Sequence, residues 1–226
     1  MSGSPRIFTH TTFPSLHWSR DELPIFIYPL PSSFLAHASL LPPDLLSIVE
    51  EIEALRTSIE VSNSYGTPYP SVSQIDSIQA SIESSLFFLC PLTQALGPIA
   101  ECTRLATYIC TYQLFTEIWN NNAVPMRLST YLQKLLLETC LEPLWEPAPD
   151  LLLWALFIGG AFADEAGRGE YVRMLRYCRL NGSLGAWWES WEETEGILKG
   201  FIWLERVFLG PCKALWGRVD ENEVLA

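Results

Sequence analysis

The amino-acid sequence predicts an all-α protein, an irregular multi-helix bundle behind a proline-rich N-terminal arm. Three observations carry this. Apolar residues recur three and four positions apart in several long segments, which is helical spacing. Proline, glycine and asparagine clusters punctuate those segments. No stretch of useful length alternates apolar and polar residues as a half-buried strand would.

Residues 1–43 form the arm. They hold seven prolines, Pro5, Pro14, Pro24, Pro29, Pro31, Pro42 and Pro43, and all three histidines, His10, His17 and His37. Repeated proline prevents a long helix. The apolar run Ile25, Phe26, Ile27 and Tyr28 predicts that part of the arm lies against the body.

A helical body is expected over residues 44–218. From Asp44 to Val61, Leu45, Ile48, Val49, Ile52, Leu55 and Ile59 fall on one face, and Glu50, Glu51, Glu53, Arg56 and Glu60 fill the other. NSYGTPYPS, 63–71, is a loop. A second helix starts near Ser73, with Asp76 three residues on in the manner of a capping box, and an inner face of Ile75, Ile78, Ile82, Leu86 and Leu89. Pro91 and the Gly97-Pro98 pair break the next segment. Leu105, Tyr108, Ile109, Tyr112, Phe115 and Trp119 then make the longest stripe, ended by NNNAVP. Pro125 suits the first turn of a further helix, with Leu128, Leu132, Leu135 and Leu136 inward.

EPLWEPAPD, 142–150, is a connector, and Asp150 is the expected N-cap of the helix that follows. That helix contains thirteen uncharged residues, Leu151 to Ala163, between two aspartates. A membrane span needs about 20 residues, so the run predicts a buried core helix. A break at 163–169 precedes a helix from about Glu170 to Leu180. After NGSLG, the last long helix is expected to begin at Trp187, Trp188 and Trp191 and to continue through Phe201, Trp203 and Leu204. Residues 219–226 read as an acidic tail.

Composition excludes several functions. The chain has 226 residues, 49% of them hydrophobic, enough for a sizeable core. With 14 basic residues against 26 acidic ones, the net charge is −12 and no basic run exists. Nucleic-acid binding needs cations to neutralise phosphate, so no direct DNA or RNA binding is expected. Six cysteines, Cys90, Cys102, Cys110, Cys140, Cys178 and Cys212, are spaced 12, 8, 30, 38 and 34 apart. No C-x-x-C pair occurs, so buried thiols are expected rather than a metal site or disulfides. MSGSPRIFTH lacks the apolar core of a signal peptide.

No catalytic constellation emerges, and no cofactor is implied. The histidines are confined to the arm, and G-x-S-x-G is absent. Glu189, Glu192, Glu193 and Glu195 among tryptophans suit a solvated helix start, where the macrodipole favours acid. Gly159-Gly160 lacks a phosphate-loop pattern; its expected use is close helix–helix packing. Trp154, Trp187, Trp188, Trp191 and Trp203 are either core or the lining of a pocket for an apolar ligand.

The block DLLLWALFIGGAFADEAGRGEYVRMLRYCR, 150–179, resembles the fungal-specific transcription factor domain. This is the helical regulatory region that follows zinc binuclear cluster DNA-binding modules. Trp154, Phe157, Ile158, Gly159 and Gly160 fit its apolar glycine-ended helix, and Tyr171, Val172 and Leu175 the next helix. ECTRLATYICTYQLF, 101–115, and WESWEETEGILKGFIWLE, 188–205, resemble its earlier and terminal helices. The resemblance implies a nuclear, non-enzymatic role in transcription regulation. Action would be through a protein partner such as a zinc-cluster transcription factor, a second copy, or a small effector. The six cysteines do not have the spacing of the zinc cluster. Two rivals stay open: a helical small-molecule binder or enzyme of secondary metabolism using the tryptophans, and a ligand-free adaptor.

Overall fold

The computed structural model describes residues 30–65, 72–115, 123–140, 142–180 and 188–221. Among these residues there are ten α-helices and no strand. They are α1 (Ser32–Ala36), α2 (Pro43–Tyr65), α3 (Val72–Phe88), α4 (Cys90–Leu96), α5 (Pro98–Phe115), α6 (Ala123–Thr139), α7 (Pro149–Ala161), α8 (Glu165–Leu180), α9 (Trp191–Leu198) and α10 (Glu205–Asp220). Two 3₁₀ turns lie at Ala38–Leu40 and Pro143–Trp145.

Two helices carry the body. α5 packs against α2, α3, α4 and α6; α7 packs against α6, α8, α9 and α10; and α5 touches α7. The sequence makes α7 central because it has no polar face. Every residue from Leu151 to Ala161 is buried, as a helix apolar all round must be. α5 is nearly as enclosed, but carries threonines. Thr103 and Thr111 satisfy their hydroxyls on their own helix, donating to the carbonyls of Ile99 at 2.7 Å and Thr107 at 3.0 Å.

The inner faces of α2 and α3 follow the sequence pattern. Leu45, Ile48, Val49, Ile52 and Leu55 are buried, as are Ile78, Ile82, Leu86 and Leu89. Between α4 and α5 the chain turns at Gly97, whose φ of 113° is open to glycine at little cost.

Several expectations need correction. α3 begins at Val72, next to the expected Ser73. Asp150 is not an N-cap; that position is Ala148, and the Asp150 carboxylate instead lies 2.6 Å from His37 Nε2. The break before α8 covers only residues 162–164. Asp164 accepts the Gly167 N–H at 2.7 Å and so starts the helix ahead of both glycines. The terminal tryptophan segment is two helices, not one. At Gly200 the carbonyl leaves α9 and accepts the Ser33 N–H at 3.1 Å, and the chain re-enters helix only at Glu205. α10 runs to Asp220 and buries Val219, so the tail does not begin at 219.

Phe34, from the arm, is fully buried and meets the Trp154 and Phe201 rings edge-on, both at 5.3 Å. The run at 25–28, His10, His17, Trp119 and Trp187 lie outside the described residues.

Candidate functional site

The tryptophans are packed against other rings. Trp154 of α7 stacks on Phe201 at 5.1 Å. Trp188 meets Phe157 and Trp216 edge-on at 6.5 and 5.9 Å, and Trp191 leans on Trp216 at 6.3 Å. Trp203 lies on Phe208 at 5.8 Å. The Arg179 guanidinium sits over the Trp188 and Trp216 rings at 5.6 and 5.2 Å and donates to the Glu189 carbonyl at 2.9 Å. The cation that an aromatic cage of this shape would bind is therefore supplied by the chain itself.

The clefts on the described surface include two whose linings hold no tryptophan. One, of about 310 Å³, lies between the α4–α5 turn and α6, over Gly97, Pro98, Glu101, Leu105, Tyr131 and Lys134. The other, of about 240 Å³, lies between α8 and α10 and is lined by Arg173, Arg176 and Arg218 with Val172 and Glu221. The arginines there have partners: Arg173 pairs with Glu170, Arg218 with Glu165, and Arg176 donates to the Val219 carbonyl at 3.1 Å.

Gly159 and Gly160 bring α7 against α8 and α10. A Cβ on Gly159 would fall on the Tyr171 ring, 2.3 Å from its hydroxyl. On Gly160 it would meet Leu215 Cδ2 at 2.7 Å and Tyr171 Cβ at 2.8 Å. Tyr171 is held in place: its hydroxyl donates to the Ser129 carbonyl at 2.8 Å, and Ser129 Oγ donates to the Gly159 carbonyl at 2.8 Å. Burial pushes the Tyr171 phenol well above its ordinary range.

Buried charge was missed in the sequence. Glu101 and Arg104 on α5 are both almost fully enclosed. Arg104 donates Nε and Nη2 to the two carboxylate oxygens at 2.8 and 2.7 Å, and Nη1 to the Leu86 carbonyl at 3.0 Å. Thr93 of α4 donates to Glu101 at 2.5 Å. The bidentate pair with its extra donors therefore ties α3, α4 and α5 together. On α3, Glu83 accepts from Gln79 at 2.8 Å and from the Tyr112 hydroxyl at 2.9 Å. The i, i+3 spacing of Glu101 and Arg104 was the available signal. It reads equally as a solvated pair unless the whole turn is known to be buried.

Glu53 differs from these. Its Oε2 takes Arg56, but Oε1 is buried with no hydrogen-bond partner among the described residues. Burial pushes its pKa up from 4.5, against the opposing pull of Arg56. Folding therefore favours the neutral acid. The stability this gives is present below the ordinary glutamate value and is lost as pH rises through the raised one. Glu53→Gln should gain on the wild type in melting temperature as pH rises above the ordinary glutamate value. A difference that stays flat or shrinks with pH would contradict this role.

The cysteines are free; Cys90 is half-buried and the other five are buried. Among the described residues no group of three His, Cys, Asp or Glu side chains is placed to hold a metal ion. A strong chelator should leave the melting temperature unchanged, because structural zinc would contribute folding energy directly. A large fall would mean the thiols hold metal. Glu192 and Glu193 are exposed at the start of α9, where Ser190 and Glu193 form a reciprocal capping box.

One surface feature remains. α4 lies along α5 and buries only Thr93. The bonds Leu89 N–H to Ser85 C=O and Thr93 N–H to Leu89 C=O carry the helical repeat across the α3–α4 junction. Phe88, Leu92 and Leu96, four apart, therefore share a side, and Phe87 contacts Phe88 edge-on at 5.6 Å. All four side chains are exposed, Phe88 by 68% and Leu96 by 57%. Among the described residues nothing buries them.

No helix among the described residues is long and apolar enough to cross a membrane. No family model matches the chain, and no curated protein or solved structure matches it.

Proposed function

We propose that this chain is a non-enzymatic helical interaction domain that acts in transcription regulation through protein contacts. The observation that supports it is the exposed stripe of Phe87, Phe88, Leu92 and Leu96. Contiguous apolar side chains left in water mark partner-binding surfaces, and aromatic residues dominate such contacts. The occupant would be an apolar helix face of a zinc-cluster transcription factor or of a second copy. The transcriptional and nuclear setting rests on the resemblance of residues 101–115, 150–179 and 188–205 alone. The alternative, a tryptophan-lined ligand pocket, is less favoured because Trp154, Trp188, Trp191 and Trp203 pack against other rings.

Tethering the chain to a promoter through a heterologous DNA-binding module, in a fungal host, tests the reading. Expression of the reporter should change several-fold relative to the module alone. An unchanged reporter at equal protein abundance would count against a transcriptional role. Sequence-specific DNA binding by the purified chain would overturn the requirement for a partner.

A further inference from the structure

The fold brings together two cysteines that are 38 residues apart in sequence. Cys140 lies just past the end of α6, and Cys178 near the end of α8. The Cys178 sulfur is 3.9 Å from the Cys140 carbonyl, and the two thiols are within hydrogen-bonding reach of each other. Cys178 is fully buried, while Cys140 keeps 4% of its surface. Cys140 is the less enclosed residue of the pair, and both are buried.

We propose that Cys140 and Cys178 are a redox modification site, forming a reversible disulfide in reaction with a hydroperoxide. The contact between the thiols supports the chemistry as well as the geometry. With Cys178 donating to it, the Cys140 sulfur has a pKa below that of an ordinary thiol, while Cys178, the donor, is held above it. Thiolate is the attacking form.

The Cys140 thiolate attacks one peroxide oxygen. An S–O bond forms, the O–O bond breaks, and the departing oxygen takes a proton to leave as water or an alcohol. Cys140 is then a sulfenic acid. The Cys178 thiol gives up its proton and its sulfur attacks the Cys140 sulfur. The S–S bond forms, the S–O bond breaks, and the hydroxyl leaves as water with that proton. Two electrons pass from the sulfurs to the peroxide. In a reducing compartment such a bond is transient, as regulatory disulfides are.

The other buried thiols are governed by burial, although Cys102 lies near Cys140 and Cys110 near Cys212. Burial pushes Cys102 and Cys110 well up and Cys212 to about 12, which leaves almost no thiolate at neutral pH. Oxidised, the pair would staple the end of α6 to α8 and close a loop of 38 residues. Loop closure of this size should raise the melting temperature by roughly 5–10 °C.

The test is treatment of the purified full chain with stoichiometric hydrogen peroxide, then proteolysis and mass spectrometry without reductant. The expected result is loss of two hydrogens, a Cys140–Cys178 crosslinked peptide, and its disappearance with dithiothreitol. Cys140→Ser and Cys178→Ser should each abolish the crosslink, and Cys212→Ser should not. The wild-type peptide map needs no variant to fold, so it decides the matter alone. Over-oxidation of Cys140 without a link, a link between other cysteines, or an unreacted chain would each overturn the proposal.

Discussion

Phe157→Asp is expected to yield no folded protein. Phe157 is fully buried in α7, with its ring edge against Trp188. No residue of α7 from Leu151 to Ala161 has a polar side chain other than the Trp154 indole. The new carboxylate would have no cation within its own helix. Desolvating an unpaired charge costs several kcal/mol even after relaxation, and removing the ring adds about 3–5 kcal/mol. Together these match or exceed the 5–15 kcal/mol of a typical domain, at roughly its lower half. Soluble yield and far-UV circular dichroism are the readouts. Wild-type values for both would contradict a core position for α7.

Gly160→Val carries the second-largest effect. Here the obstacle is not a flexible side-chain tip alone. Leu215 Cδ2 can swing away, but Tyr171 Cβ, 2.8 Å from the added Cβ, is fixed to the α8 backbone. α7 and α8 must separate, which exposes the most enclosed helix of the fold. A loss of about 3 kcal/mol or more is expected, at the upper end for overpacking, with a fall in melting temperature of roughly 10 °C. Gly169→Ala is the contrasting case. An added Cβ there meets nothing within 4 Å, and alanine favours helix over glycine by up to about 1 kcal/mol. Its melting temperature should rise by a few degrees. Equal effects at the two positions would mean that helix propensity, not helix–helix contact, governs Gly160.

These contrasts show what the sequence holds and what it hides. α7 was legible because an apolar run with no polar face has one solution, burial. The inner faces of α2 and α3 were legible because their period is helical throughout. The start of α8 was not. Gly167 and Gly169 look like a break, and only the Asp164 cap, a short-range bond, shows that helix forms through them. The division of α9 from α10 coincides with a bond from Ser33, far away in sequence, to Gly200. Apolar periodicity runs straight through that join and cannot report it.

The candidate site was the least legible. Tryptophan clusters serve cores and pockets alike, and the outcome depends on whether Phe34 and Phe201 fill the space beside Trp154. Glu101 and Arg104 belong to a residue class that normally faces water, so their burial follows from α3 and α4 closing over them. Phe87, Phe88, Leu92 and Leu96 carry the opposite ambiguity. Their apolar character predicts burial, and their exposure follows from the end of α3 and α4 turning this side away from the described body.

The most direct measurement is therefore made on that stripe. Phe88→Glu combined with Leu92→Glu changes two exposed side chains, so the melting temperature should stay within about 2 °C of the wild type, as surface substitutions usually do. In the promoter-tethering assay the same variant should lose the reporter effect at unchanged protein abundance. A variant that melts as the wild type and regulates the reporter as the wild type would contradict the claim that this chain works through the α3–α4 surface.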